Sequence, residues 1–505
     1  MLLACWDYTW SGGNQRRVLG AYLLLNGTPF SACTSLILVI AIFLTGHSPH
    51  LQQAQAIDNV AAKTSEARSV LGQAEAAAAN IKSAYERGLV LDQIGAAEVR
   101  AGDLNAAVES ARRAYPNDMA TLTAIGEQLA DAKDSGKAQS IKAKLQRGQS
   151  STVFAFMAGR QAENGNIEGA LRRTEQIEAP EVRSDALVGI AQQQAATGDY
   201  SGARKTFARA RVVHPADHST PDDVEMMIVQ GQLSHGDTAA ARTTISSMKS
   251  AEMRSMAMIS GAEILLNKAD KISAAAWLEE AIRGLPPGAS ADFERYLAIP
   301  LQVKLGQKDR AMQSAGALSP DARLKGYGAV AVACAEAKDV VGVDYALERM
   351  QVAVSSVGED RDLSGFEAKL MILNVTAALL DNGEFETSSR LLKSVEQQLD
   401  EVSKSSIEPD IQLRRVFALA LQDKFDDARS LAKKMRANST PIVERGTAWR
   451  TIALLQTKKN GVASAHPWVV ALADAEDRAY ALLGIAQALL EIDDARLPYN
   501  AIQIH

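Results

Sequence analysis

Short polar turns recur along this chain at intervals of 31 to 45 residues, and they limit its fold more than any other feature. Six of them read Ala101-Gly102-Asp103, Asn164-Gly165-Asn166, Thr197-Gly198-Asp199, His235-Gly236-Asp237, Leu305-Gly306-Gln307 and Asn382-Gly383-Glu384. Glycine closes a helix by taking a left-handed backbone, and an Asp or Asn after it can cap the next helix. From about Ile57 onward the segments between turns are rich in Ala, Leu, Glu, Lys and Gln, and their apolar residues fall at three- and four-residue spacing. Without a sustained alternation of β-branched residues, that pattern predicts helices of roughly 12 to 16 residues. Each turn then joins two antiparallel helices.

The residues around the turns recur in register, which is the mark of a repeat architecture. Relative to Gly198, Ala191 lies seven before, Ala203 five after, Ala210 twelve after and Pro215 seventeen after. Ala269 repeats this with Ala262, Ala274, Ala281 and Pro286, and Gly102 repeats it with Gly95, Ala107 and Ala114. The register extends to reference positions 102, 133, 165, 198, 236, 269, 306, 338, 383, 423 and 460, with a truncated unit near 493. Far apart in the chain, Ala186–Gln192 (ALVGIAQ) nearly matches Ala481–Gln487 (ALLGIAQ).

On these residues the chain resembles a tetratricopeptide-repeat (TPR) protein, whose unit is a helix pair of about 34 residues. The resemblance covers most of residues 88–495, although the large aromatics of the family pattern are mostly absent and the spacing stretches around Gly358. That departure leaves a HEAT-like or other helical solenoid open. The fold expected is all-α: a right-handed α-solenoid of about 11–12 antiparallel helix pairs, a TPR-like superhelix forming one continuous arch. Small residues seven before and five after the reference glycine would let the two helices cross closely, and the one twelve after would meet the next unit. Residues 57–87 would form a leading cap, 88–475 the repeats and 476–505 a truncated unit and trailing cap. Ser355 to Phe366 (SSVGEDRDLSGF) is the most polar interruption and is expected to be a loop or hinge.

Ahead of the repeat, Leu36–Leu44 is wholly apolar, Arg16 and Arg17 precede it, and Ala54-Gln55-Ala56 follows. That order resembles a secretory signal peptide cleaved after Ala56, which would make residues 1–56 a leader and the protein periplasmic or secreted. The other reading is an uncleaved anchor in the inner membrane, the protein's one contact with a bilayer, since the run is short of the ~20 residues that span but could recruit its neighbours. Cys5 and Cys33 fall in this segment, so Cys334, in VAVACAEA, is left alone and reads as a small core residue.

With 54 Lys+Arg against 60 Asp+Glu the net charge is −6, and loss of residues 1–56 removes Arg16, Arg17 and Asp7 to leave −7. A chain lacking a cationic surplus is a poor nucleic-acid binder. No phosphate-binding loop, H-E-x-x-H pair, nucleophile elbow or C-x-x-C pair occurs. His214 and His218, near Asp217, Asp222 and Asp223, are weak metal candidates that also read as ordinary turn and cap residues. A helical-toroid hydrolase of polysaccharide would need paired carboxylates beside aromatic platforms. Beyond the leader only Trp277, Trp449 and Trp468 remain, each in a flank that reads as helix packing. No enzyme activity and no cofactor is expected.

What remains is the concave face, which in TPR-like proteins is lined by the first helix of each unit. On this register the inward candidates are Asp92, Glu127, Gln192, Gln230, Glu263, Tyr296, Lys325, Phe417 and Arg450. No Asn follows an inward Lys by one turn, so a carboxylate clamp of the kind some family members carry is not supported. The expectation is a non-enzymatic scaffold that lays a partner protein or peptide in the groove, or, if anchored, an extracytoplasmic assembly factor. Ala203→Leu should overpack a helix crossing and cost about 1–3 kcal/mol; an unchanged melting curve would refute the register.

Overall fold

The computed structural model describes residues 49–132, 135–214, 220–286, 288–356, 361–399, 401–435 and 444–492. Among them are 24 α-helices, one 3₁₀ turn (Ala289–Ala291) and no strand. After α1 (Pro49–Ala78) come the hairpins α2/α3 (Ala84–Arg100, Leu104–Ala114), α4/α5 (Met119–Ala132, Ser135–Lys142), α6/α7 (Arg147–Glu163, Ile167–Thr174) and α8/α9 (Pro180–Ala196, Tyr200–Val213). They continue as α10/α11 (Pro221–Ser234, Thr238–Ser247), α12/α13 (Ala251–Asn267, Lys271–Gly284), α14/α15 (Asp292–Lys304, Lys308–Gly316) and α16/α17 (Pro320–Glu336, Val340–Ser356). The last are α18/α19 (Arg361–Asp381, Phe385–Gln397), α20/α21 (Glu401–Leu421, Phe425–Ala432) and α22/α23 (Glu444–Asn460, Val462–Val470), before the single helix α24 (Ala475–Leu489). The architecture is a TPR-like helical solenoid.

One turn design makes the hairpins. The backbone is left-handed at Gly102, Gly165, Gly198, Gly236, Gly306 and Gly383, and equally at Ala269, Lys338, Asp423 and Glu491. At each of these ten, the amide after the left-handed residue bonds the carbonyl four residues before it, at 2.8–2.9 Å. This closes the last turn of the first helix as in a Schellman motif. Because residues with a Cβ adopt the same strained backbone, the unit's geometry, rather than glycine, dictates the turn. Asp103, Asn166, Asp199, Asp237, Asp270 and Asp339 then accept from an amide three residues on and start the second helix. Expected near 460 and 493, the corresponding left-handed residues are Gly461 and Glu491, while position 133 lies outside the described residues.

The even-numbered helices form one layer in which every helix touches the next. The odd-numbered helices stand behind them, so the even layer is the concave one. Its members approach with backbone against backbone. A Cβ built on Gly231 of α10 would sit 2.1 Å from the Ala195 carbonyl oxygen of α8, and one on Gly484 of α24 would sit 2.2 Å from the Arg450 oxygen of α22. The alanines of the register, Ala107, Ala114, Ala191, Ala203, Ala210, Ala262, Ala274 and Ala281, are all buried, as is Gly95.

An open arch with a polar cap at each end was the expectation, but the ends meet. The last inner helix, α24, packs against the first, α2. Behind them α1 takes the place of the outer helix that α24 lacks among the described residues. The Arg68 guanidinium donates to the Ala101 carbonyl at 2.6 and 2.8 Å, and Glu75 meets Ser110 and Arg113 of α3, both at 3.2 Å. On its other flank, Gln73 Oε1 lies 3.0 Å from His466 Nε2 of α23, and Lys63 pairs with Glu491 at 3.0 Å. Lys63 and Arg68 stand level with the left-handed turns and Glu75 level with the far half of α3, so α1 runs in the direction of the outer helices. The twelfth unit is therefore composite: α24, the turn at Glu491, and α1 from the other end of the chain. Val70, Leu71 and Ala74 join Ala479, Tyr480 and Leu483 in one apolar core. An uncapped repeat would leave such a face in water; here each end covers the other.

One boundary differs from expectation. Residues 57–87 hold most of one long helix and the start of α2 instead of a cap of their own. In the polar stretch Ser355–Phe366, expected to hold a loop or hinge, α17 runs to Ser356 and α18 starts at Arg361, and residues 357–360 between them lie outside the described set. Gly484→Ala should cost about 1–3 kcal/mol by forcing α24 off α22. Gly189→Ala, with nothing near its Cβ, should be neutral or stabilise by roughly 0.5–1 kcal/mol. Thermal melts of the two variants that reversed this order would refute the close approach.

Candidate partner-binding surface

The inner helices are fixed to one another by polar contacts at their N-terminal ends. The Asp92 carboxylate on α2 accepts from the amides of Thr121 (2.8 Å) and Ala120 (3.1 Å) at the start of α4. Asp222 does the same for Lys249 and Ser250 ahead of α12, and Asp292 for Ser319 ahead of α16. Free amides at a helix start attract a carboxylate, so each helix caps its neighbour. Arginines in the first turns of inner helices tie the preceding loop: Arg87 to Ile81 O, Arg183 to Ile177 O, Arg254 to Met248 O and Arg478 to Leu472 O. Within a hairpin, Ser110 bonds Glu98 (2.9 Å) and Thr244 bonds Gln232 (3.0 Å), both buried pairs.

Sequence reasoning missed all three devices. The arginines did leave a signal, an acidic residue one or two positions ahead in Glu86-Arg87, Glu181-Val182-Arg183, Glu252-Met253-Arg254 and Glu476-Asp477-Arg478. The Glu/Gln–Ser/Thr pairs left only a spacing of twelve, as in Glu98–Ser110 and Gln232–Thr244, lost among ordinary helical polar residues.

With outer helices behind and neighbours on both flanks, the remaining stripe of each inner helix faces the inside of the ring. Its positions fall six, nine and thirteen before the left-handed residue. Of the candidates, exposed Gln192 and Glu263 keep such places on α8 and α12, while Glu127 is half-buried on α4, where the reference position 133 lies outside the described residues. Gln230 donates to Ser260 on the next inner helix at 3.0 Å. Lys325 pairs with Glu367 at 3.6 Å, and Arg450 donates to Gln93 at 3.2 Å across the closure. Half-buried Tyr296 packs on the core of α14–α18. Asp92 is committed to capping α4. Phe417 does not line a groove: it is buried in the core, since the inner faces of α18, α20 and α24 pack closed. Arg414, on the same face of α20, is wholly buried and held by Leu373 O (2.9 Å) and Asp410 (2.6 Å).

The accessible lining is thus the arc from α4 to α16, and its middle is apolar. Phe293 and Leu297 on α14 are 37% and 36% exposed, and half-buried Met256 of α12 and Met227 of α10 continue the stripe. Gln192, Gln230 and Glu263 give it polar neighbours. Methionine and aromatic side chains on a concave face suit an apolar partner surface, because Met adapts its shape at little cost.

The other candidates have structural surroundings. Cys334 is buried in the core of α16, and burial pushes its thiol up to about 11, so it is un-ionised at neutral pH. His214 ends α9; His218 and Asp217 lie outside the described residues. Among the described residues no three His, Cys, Asp or Glu side chains gather as metal ligands would. Trp449 and Trp468 pack ring to ring at 5.7 Å, and Arg242 covers Trp277 at 5.0 Å. All three are engaged in packing rather than presented as sugar platforms.

No protein-family profile matches the chain, and no curated protein matches it in sequence. Among solved structures, it is similar to a human IFIT1 dimer with PPP-AAAA at 11% identity and a TM-score of 0.23, over 85% of this chain and 95% of that one. It is similar to the APC/C hetero-tetramer Cut9-Hcn1 at 12% identity and a TM-score of 0.20, over 79% and 86% of the two chains. A circular tandem repeat protein with novel repeat topology gives 12% identity and a TM-score of 0.18, over 84% and 95%. Nothing about activity or partner follows from likeness at these scores.

Proposed function

We propose that the protein is a non-enzymatic scaffold that holds a partner protein against the inner face of its ring, with an apolar helix of the partner laid across α10, α12 and α14. The observation that carries this reading is the stripe of exposed Phe293 and Leu297, continued by half-buried Met256 and Met227, on the accessible arc of the inner face. A face of this kind costs free energy in water unless something covers it. The net charge of −6 weighs against nucleic acid as the occupant. A photo-crosslinking side chain at Leu297 should give a discrete protein adduct in cells, and the same group at Val212, which is 79% exposed on outer helix α9, should not. Equal adducts from both sites, or none from Leu297, would sink the reading.

Export across a bacterial inner membrane is the second half of the proposal. Its support is the basic, apolar and Ala-x-Ala order of residues 16–56. Cleavage after Ala56 would leave Lys63, Arg68, Gln73 and Glu75 in place, so ring closure survives it. Among the described residues no helix is long and apolar enough to cross a membrane. The intact mass of the purified cellular protein should correspond to a chain starting at Ile57. A mass that includes residues 1–56 on membrane-bound protein would make it an anchored assembly factor instead.

A further inference from the structure

Two outer helices, α13 and α15, leave between them a cavity of about 380 Å³, with α14 as its floor. That volume is of the order held by small-molecule sites. The repeat explains why the space is there. Eleven positions before the left-handed residue, five other units place Leu91, Phe154, Leu187, Tyr327 or Tyr480, all of them buried. In α14 that position is Arg295. Its side chain lines the cavity and is only 11% exposed. Burying a cation costs free energy unless an anion is close. The carboxylate beside Arg295, that of Asp292, is 3.9 Å away and accepts from the Ser319 amide at 3.1 Å. The guanidinium donates instead to the backbone oxygens of Pro286 and Gly288, which leaves its charge without a close counter-ion.

Two more arginines complete the cluster. Arg283 of α13 and Arg310 of α15 line the cavity from its two sides, and Glu279 of α13 has one oxygen 3.1 Å from Arg283 and the other 3.3 Å from Arg310. Three cations thus face one carboxylate. Glu279 already shows what the outer pair can hold: one oxyanion shared by two guanidinia, each with donors to spare.

The floor adds an acceptor. In two other units the residue four before the left-handed one is bonded by a hydroxyl eight after it, Ser110 to Glu98 and Thr244 to Gln232. The corresponding Gln302 and Ser314 both line the cavity and make no such bond. Gln302 is 4% exposed and its Oε1 has no partner. A buried carbonyl oxygen left this way favours a ligand that brings a donor. The same oxygen is unpaired in Gln161, Gln194 and Gln487, so what sets this unit apart is the set of arginines round one cavity.

We propose that this cavity is a binding site for a small hydroxylated oxyanion, a phosphate monoester or a hydroxycarboxylate, whose charge meets Arg283, Arg295 and Arg310 and whose hydroxyl donates to Gln302.

Arginine forks suit both oxyanions, since each presents two or more oxygens to a planar pair of donors. Glu279 competes with the ligand for the same two guanidinia. Because α13 and α15 are outer helices, the site is separate from the inner stripe and stands or falls apart from the partner-binding reading.

Isothermal titration calorimetry of the intact protein in low salt tests it, with glucose 6-phosphate, citrate and glucose as probes. Glucose 6-phosphate or citrate should bind at one site per chain and glucose should not; the tighter of the two anions tells a phosphate ligand from a carboxylate one. Arg283→Ala combined with Arg310→Ala should weaken binding by roughly tenfold or more. Glu279→Gln should tighten it by removing the competing carboxylate, whereas Arg172→Ala, at an exposed arginine of α7, should leave it unchanged. Binding of neither anion at millimolar concentration, or a loss of affinity as large in the Arg172 variant as in the Arg283 and Arg310 pair, would overturn the site.

Discussion

Close contact between the backbones of consecutive inner helices is the constraint on which the rest of the structure depends. Where Gly231 meets Ala195 and Gly484 meets Arg450, no side chain fits between the helices. The inner layer is drawn tight while the outer layer, carrying Phe207, Trp277 and Leu392, fills the space behind it. A layer shortened on one side must curve. Repeated through twelve units, the curvature brings α24 to α2.

Closure changes what a concave surface can do. In an open solenoid a partner can enter from the side along the whole groove; here the lining is a bounded arc, α4 to α16, faced by an arc that is packed shut. Polar residues on the inner helices serve different ends. Arg414, Asp92 and Asp222 are spent on neighbouring backbone, whereas Gln192 and Glu263 stay exposed. Charge on an inner helix is thus a poor guide to contact with a partner until its hydrogen-bond partners are known.

The sequence made the hairpins and their register legible because the turn is local. A left-handed residue followed by a capping Asp or Asn is readable within a few positions, and even Lys338 and Asp423, which are not glycine, fell into place by spacing. The alanines followed, since methyl groups at helix crossings recur at fixed distances from the turn. Closure was not legible. Nothing near Arg68 or Gln73 says that one flank meets Ala101 and the other His466, nearly four hundred residues away. The polar pairs were hidden for a related reason: Glu98 looks like any helical glutamate until Ser110 and Glu75 are seen beside it. Phe417 was misplaced because its face would be open in an arch and is covered in a ring.

The composite unit also sets an order of events for synthesis. Val70, Leu71 and Ala74 are among the earliest apolar residues of the ring to leave the ribosome, and Tyr480 and Leu483, which share their core, are among the last. At about 5–20 residues per second, some 20–80 seconds separate them. Throughout that interval the flank of the first helix that will meet α23 and α24 travels uncovered, a standing invitation to chaperones, or to the same edge of another nascent chain.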